Sequence, residues 1–104
     1  MPGQPAAFIE AVLRRPTMYT LSGSYGEVIA FLEGYFSGLA IEALREGRIS
    51  PWAAFGVDLR MRYPIGNRCV FQSFLDVHKT ESISELLKAY LEFAEREGLE
   101  TLLP

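Results

Sequence analysis

The sequence contains one cysteine and one histidine in 104 residues, so it offers few side chains suited to metal binding or nucleophilic catalysis. Cys69 cannot form a disulfide within the chain, which is typical of a protein from a reducing cytoplasm. No Gly-rich phosphate-binding loop and no metal-ligand spacing occurs. We therefore expect a protein that is not an enzyme and that uses no cofactor and no metal.

Positive charge is also scarce. Ten Lys and Arg residues stand against thirteen Asp and Glu, and the formal net charge is -3. Such a chain creates no field that attracts a polyanion, which argues against a general nucleic-acid binder. The most apolar stretch, residues 28–44, is about 17 residues long and contains Glu33 and Glu42, so it predicts a buried helix and no membrane partner. The N-terminus lacks the pattern of a signal peptide, and we expect a cytoplasmic location.

Hydrophobic residues make up 49% of the chain, without repeats or linkers, which predicts a single helical domain over residues 1–104. Apolar residues at helical spacing predict a first helix from about Pro5 to Arg15, ended by Pro16, with Glu10 on its outer face. Ser24 and Glu27 match a capping box that begins a long second helix reaching about Arg45.

This second helix is apolar on more than one face, so we expect other helices to cover it on several sides. Ala30, Gly34 and Gly38 form a ridge of small residues along it. A glycine inside a helix costs about 1 kcal/mol relative to alanine. The close approach of another helix would offset this cost, and we expect such a contact here.

Residues 51–75 leave two structures open. Ser50 and Pro51 are typical of a helix start, but the alternation of Val57, Leu59 and Met61 with charged residues also suits a strand. Another capping box, Ser82 with Glu85, begins an acidic helix that ends near Gly98. The expected fold class is all-α, a compact bundle of four to five helices around a long central helix. The alternative is an α+β fold with a hairpin near residues 57–75.

The candidate functional residues each have a structural alternative. Cys69, Asp76 and His78 include the groups of a thiol nucleophile and its base, but a small buried cysteine beside a loop histidine is the favoured interpretation. Met18 and Tyr19 follow Pro16 and are either anchors for a partner or a contact between the first two helices. The third set concentrates positive charge that could meet an acidic partner or simply face solvent, and it comprises Arg60, Arg62, Arg68 and Lys79.

Two short motifs resemble a known group of proteins. Residues 14–19 read Arg-Arg-Pro-Thr-Met-Tyr, and residues 31–35 read Phe-Leu-Glu-Gly-Tyr. This Arg-Pro-x-Met-Tyr and Phe-Leu-x-Gly-Tyr pattern resembles that of small bacterial helical proteins, many of them similar to immunity proteins against polymorphic toxins. The resemblance implies that the chain binds a cognate protein toxin and neutralises it by occluding its active surface. The alternative is a self-associating structural or adaptor subunit, in which apolar surface on the second helix forms a homodimer.

Overall fold

A computed structural model of the protein describes residues 5–45, 47, 49–62 and 69–99. These residues form two short 3-10 turns, no strand, and five α-helices: α1 (Pro5–Arg14), α2 (Tyr25–Arg45), α3 (Pro51–Arg62), α4 (Val70–His78) and α5 (Ser82–Glu97). The all-α bundle is thereby confirmed. The hairpin alternative is wrong where it can be compared, because residues 57–62 belong to α3 and residues 70–75 to α4. Its turn, at residues 64–67, lies outside the described residues.

Local capping interactions explain where α2 and α3 begin. Ser24 Oγ accepts a hydrogen bond from the Glu27 backbone N–H at 3.3 Å, as the capping box predicts. The Glu27 carboxylate accepts from the backbone N–H of Ser22 at 2.7 Å, not from that of Ser24. Ser50 Oγ accepts from the Ala53 N–H at 3.1 Å and begins α3. Two of the three predicted serine caps therefore act on their helix.

The capping box predicted at Ser82 and Glu85 is wrong. Ser82 is the first residue of α5, and its buried hydroxyl donates a hydrogen bond to the Lys79 carbonyl at 2.7 Å. The serine therefore joins α5 to the preceding 3-10 turn instead of binding the free N–H groups of α5. The other end of α5 agrees with the sequence, because Gly98 adopts a left-handed φ of 69° and stops the helix.

One hydrophobic core joins all five helices. Its larger members are Ile9, Val12 and Leu13 of α1; Val28, Leu32 and Phe36 of α2; Trp52, Phe55 and Leu59 of α3; Val70, Phe71 and Phe74 of α4; and Leu86, Tyr90 and Phe93 of α5. Phe55 lies near the middle, with its ring edge-on to Tyr90 at 5.2 Å between centroids and 5.5 Å from Phe93. No helix of the described ranges is long and apolar enough to cross a membrane.

Helix α1 is buried over a wider arc than its apolar stripe predicts. Glu10, expected on the outer face, is fully buried, and Ala7 is buried beside it. The reason is that α1 packs against three other helices, α2, α3 and α5, so little of its circumference meets solvent. Arg14 Nε donates a hydrogen bond to Glu10 Oε2 at 2.7 Å, and this ion pair compensates the buried carboxylate.

Helix α2 is buried on fewer faces than the sequence predicts. Over residues 25–38, where its side chains are described, it buries one face through Val28, Leu32 and Phe36. The ridge of Ala30, Gly34 and Gly38 is exposed. A Cβ atom placed on either glycine would meet no heavy atom within 4 Å in the described part of the chain. The helix contact expected on this ridge is therefore not made by any of the described residues.

Candidate functional site: a groove beside α3

A groove of about 260 Å³ lies between α3, the middle of α2 and the start of α4. Its floor is formed by the rings of Trp52 and Phe71, which stack at 4.6 Å between centroids with an interplanar angle of 3°. Both side chains belong to the hydrophobic core, and Trp52 is only 4% exposed. The groove therefore has an aromatic floor held in place by the packing beneath it.

A tyrosine of α2 positions this floor. The Tyr25 hydroxyl donates a hydrogen bond to the backbone carbonyl of Phe71 at 2.7 Å. Burial, with a smaller contribution from nearby Cys69, raises the pKa of Tyr25, so the phenol keeps its donor proton well into alkaline pH. This contact ties the start of α4 to α2 and holds the Phe71 ring against Trp52.

Gly56 keeps the groove open along α3. It lies inside the helix, where glycine costs about 1 kcal/mol relative to alanine. A Cβ atom at this position would lie 3.9 Å from Phe71 Cε2, an ordinary contact distance, so packing does not require a glycine. The consequence of Gly56 is open space above the Phe71 ring, which larger side chains would fill.

Two charged side chains line the groove. The Glu33 carboxylate of α2 accepts a hydrogen bond from Trp52 Nε1–H at 2.7 Å. Arg60 of α3 is exposed, and its guanidinium has no hydrogen-bond or ion-pair partner among the described residues. The Cys69 thiol also reaches the groove and is exposed. The site thus combines an aromatic floor, an oriented carboxylate and an exposed cation that no described residue pairs.

An exposed apolar ridge runs beside the groove. Ala53, Val57 and Met61 are spaced four residues apart on α3, so they follow one another along the helix surface. Val57 is 54% exposed and Met61 is 80% exposed. Large apolar side chains that remain exposed together next to a groove are typical of interaction surfaces.

The predicted basic residues do not form one strip. Arg60 and Arg62 are two positions apart on α3, which turns them about 200° from each other around the helix. Arg62 binds Asp58 at 3.0 Å and lies 3.8 Å from Glu92 of α5. Lys79 is exposed in the 3-10 turn before α5 and does not line the groove, and Arg68 lies outside the described residues. Of the three that the structure describes, Arg60 is the one that lines the groove.

Arg62 belongs to a charge network between α3 and α5. Arg96 also binds Asp58, at 3.0 Å. Partial burial acts to raise the pKa of Asp58, but hydrogen bonds from Arg96 and Arg62 outweigh it and hold that pKa below its usual range. The network joins two helices, which is a structural role for Arg62.

Met18 and Tyr19 separate into the two roles that the sequence left open. The Tyr19 ring packs edge-on against Phe8 at 5.5 Å and lies 6.1 Å from Phe31, so it joins α1 to α2. Met18 is 67% exposed, with Arg15 Nη1 at 4.0 Å from its sulfur. Neither residue lines the groove. Met18 therefore remains available to a partner at a second surface.

The cysteine and the histidine lie apart. Cys69 precedes the first residue of α4 and His78 is its last residue, which separates them by about 13 Å along the helix axis. Such a separation is far beyond hydrogen-bond reach, so the two cannot act as nucleophile and base. The favoured alternative needs a correction as well, because Cys69 is exposed and not buried.

Sequence reasoning identified Arg60 at the groove but missed Glu33, Gly56 and the Trp52–Phe71 floor. A glycine inside an apolar helical segment was the available signal, and Gly56 carries it. No protein-family model, curated protein or solved structure matches the chain. The functional proposal accordingly depends on the groove, on the ridge beside it and on the two sequence motifs.

Proposed function

We propose that this protein binds another protein through the groove and the α3 ridge, and that the partner is a bacterial toxin whose active surface it occludes. The observation that carries the binding function is the exposure of Val57 and Met61 on one ridge beside Arg60, which has no ion-pair partner in the described part of the chain. Apolar side chains flanked by an arginine are typical of the centre of an interface. The resemblance of the two sequence motifs to those of immunity proteins supplies the class of partner.

The chemistry of the groove supports this function. A free guanidinium can make bidentate hydrogen bonds to a carboxylate of the partner, and the aromatic floor offers apolar area. A stable complex buries about 1,200 to 2,000 Å² in total, far more than the groove alone provides. The ridge of Ala53, Val57 and Met61 would supply the surrounding contact area. Complementary charge at Arg60 would mainly increase the rate of association.

A growth assay tests the proposal. Bacteria that express the toxin gene adjacent to this gene should survive when the protein is co-expressed. Val57→Asp and Met61→Asp should each weaken protection, because a carboxylate would be desolvated in the interface. Val77→Asp is the matched control, since Val77 is 61% exposed on α4, away from the ridge. Full protection by both α3 variants, with thermal unfolding unchanged, would contradict the proposal.

A second candidate function, self-association, is favoured by the open ridge on α2. Ala30, Gly34 and Gly38 allow the backbone of another helix to approach closely, and exposed Tyr35 lies beside them with its ring 4.5 Å from that of Phe8. A second copy of the chain could cover this face. Sedimentation velocity over a range of concentrations distinguishes the two functions. A concentration-dependent dimer that Gly34→Leu abolishes would support self-association, and a monomer throughout would remove it.

A further inference from the structure

The groove carries opposite charges at its two ends. Glu33 lies at the Trp52 end, held by the 2.7 Å hydrogen bond from the indole, and Arg60 stands eight residues further along α3. At 1.5 Å per residue, the Cα atoms of Trp52 and Arg60 are about 12 Å apart along the helix axis. Helical side chains lean toward the N-terminus, which places the indole and its carboxylate partner at the start of α3. The Phe71 ring, which stacks on the indole, lines the same groove.

The size of the groove limits what can enter it. Its volume of about 260 Å³ is below the range of roughly 300 to 1,000 Å³ that is usual for small-molecule pockets. A helix, about 10 to 12 Å across with its side chains, is too wide to lie inside. An extended chain can instead lie over the groove and insert alternate side chains. The space that Gly56 leaves above Phe71 would receive the central one.

We infer, on the basis of the proposed function, that the groove binds an extended segment of the partner with a basic, an apolar and an acidic side chain at alternate positions. The basic group meets Glu33, the apolar side chain enters above Phe71, and the carboxylate binds Arg60. The first and fifth residues of a strand lie about 13 Å apart with their side chains on the same face. This spacing is close to the distance of about 12 Å that separates the Cα atoms of Trp52 and Arg60 along α3.

Three blocked pentapeptides test the charge order: Lys-Ser-Phe-Ser-Glu, Lys-Ser-Phe-Ser-Lys and Glu-Ser-Phe-Ser-Glu, each acetylated and amidated. Trp52 is the sole tryptophan, so its fluorescence and its indole N–H resonance report on the groove without interference from the peptides. The mixed-charge peptide should bind roughly fivefold more tightly than either like-charged peptide, the factor expected for one exposed ion pair. Equal affinity of the three peptides, or binding of none, would overturn the inference.

Variants of the protein assign the preference to its source. Arg60→Gln should abolish the preference over Lys-Ser-Phe-Ser-Lys and keep the preference over Glu-Ser-Phe-Ser-Glu. Glu33→Gln should do the reverse. The amide oxygen of Glu33→Gln still accepts the Trp52 N–H, so the floor should stay in place. Lys88→Gln is the matched control, because Lys88 is exposed on α5 outside the groove. A preference over Lys-Ser-Phe-Ser-Lys that survives Arg60→Gln would overturn the inference.

The outcomes separate this inference from the function on which it rests. If the α3 variants lose protection while the peptides show no preference, the proposed function stands and the charge order fails. If the peptides behave as expected while Val57→Asp and Met61→Asp protect fully, the groove keeps its charge order and the proposed function fails.

Discussion

Replacing Gly34 and Gly38 with alanine should stabilise the protein. Both residues lie inside α2, are exposed, and have no heavy atom of the described chain within 4 Å of the Cβ position. Alanine there reduces the conformational entropy of the unfolded chain and keeps the native backbone unstrained. Each substitution should therefore raise the free energy of unfolding by about 0.5 to 1 kcal/mol.

The combined effect is large enough to measure with certainty. The two methyl groups meet no neighbour that would add strain, so the two increments together come to about 1 to 2 kcal/mol. For a domain of about 100 residues, 1 kcal/mol shifts Tm by roughly 4 to 8 °C. The double variant should therefore melt roughly 4 to 16 °C above the parent, as followed by circular dichroism, with urea unfolding as a second measurement.

The same chemical change should have the opposite sign at two other glycines. Gly98 has a φ of 69° and Gly23 a φ of 73°, a region where alanine costs about 1 to 2 kcal/mol. Gly23→Ala should be the worse, because its Cβ would lie 2.8 Å from Thr17 Cγ2. If the α2 double variant instead lost stability, the reasoning would be refuted. The ridge would then be covered in solution, and a concentration-dependent Tm would show that a second copy covers it.

Three further predictions concern single side chains. Burial raises the pKa of Tyr25 and Tyr90 above the ordinary value near 10, so their stabilising contribution is complete below pH 10 and is lost as the pH rises further. Absorbance at 295 nm should show one phenol fewer in Tyr25→Phe than in the parent among those that ionise only on alkaline unfolding. Because the pKa of Asp58 is lowered in the folded protein, its carboxylate stabilises the fold above about pH 4. This contribution is lost as the pH falls through the pKa of the folded state. Asp58→Asn should cost about 1 kcal/mol or less at neutral pH in urea unfolding, and nothing in strong acid. The exposed Cys69 thiol should react with one equivalent of Ellman's reagent in the folded protein. A bulky maleimide attached to Cys69 should prevent binding of the pentapeptides, whereas the same treatment of Cys69→Ser should leave their binding unchanged. A thiol that reacts only after unfolding would contradict the described groove.

Helix boundaries were predictable because their signals are local. The spacing of apolar residues, the serines before α2 and α3, and the glycine after α5 each act within one or two turns of the chain. The burial of Glu10 could not be predicted in this way. It depends on the three helices that surround α1, which are distant from it in sequence. The compensating Arg14 is local, but its position one turn later does not by itself indicate that Glu10 is buried.

The strand pattern that competed for α3 has a physical explanation in the structure. Val57, Leu59 and Met61 alternate with charged residues, but only Leu59 is buried, while the other two are exposed on the ridge. The exposed apolar residues of the ridge lie two positions before and after the buried Leu59, so together the three give the alternating pattern of a strand. The sequence rule failed at the residues that the proposed function uses, as expected where binding competes with folding.

The different contacts of Arg60 and Arg62 follow from helix geometry. Two residues along a helix are about 200° of rotation, so α5 can supply Glu92 and Arg96 to the Asp58 side while the other side faces the groove. Arg62 would have to leave the carboxylates of Asp58 and Glu92 before it could bind a partner, and the loss of these contacts would offset much of the free energy of binding. Arg60 has no such cost among the described residues. Charge reversal at Arg62 therefore perturbs the contact between α3 and α5, whereas reversal at Arg60 changes what the groove can bind.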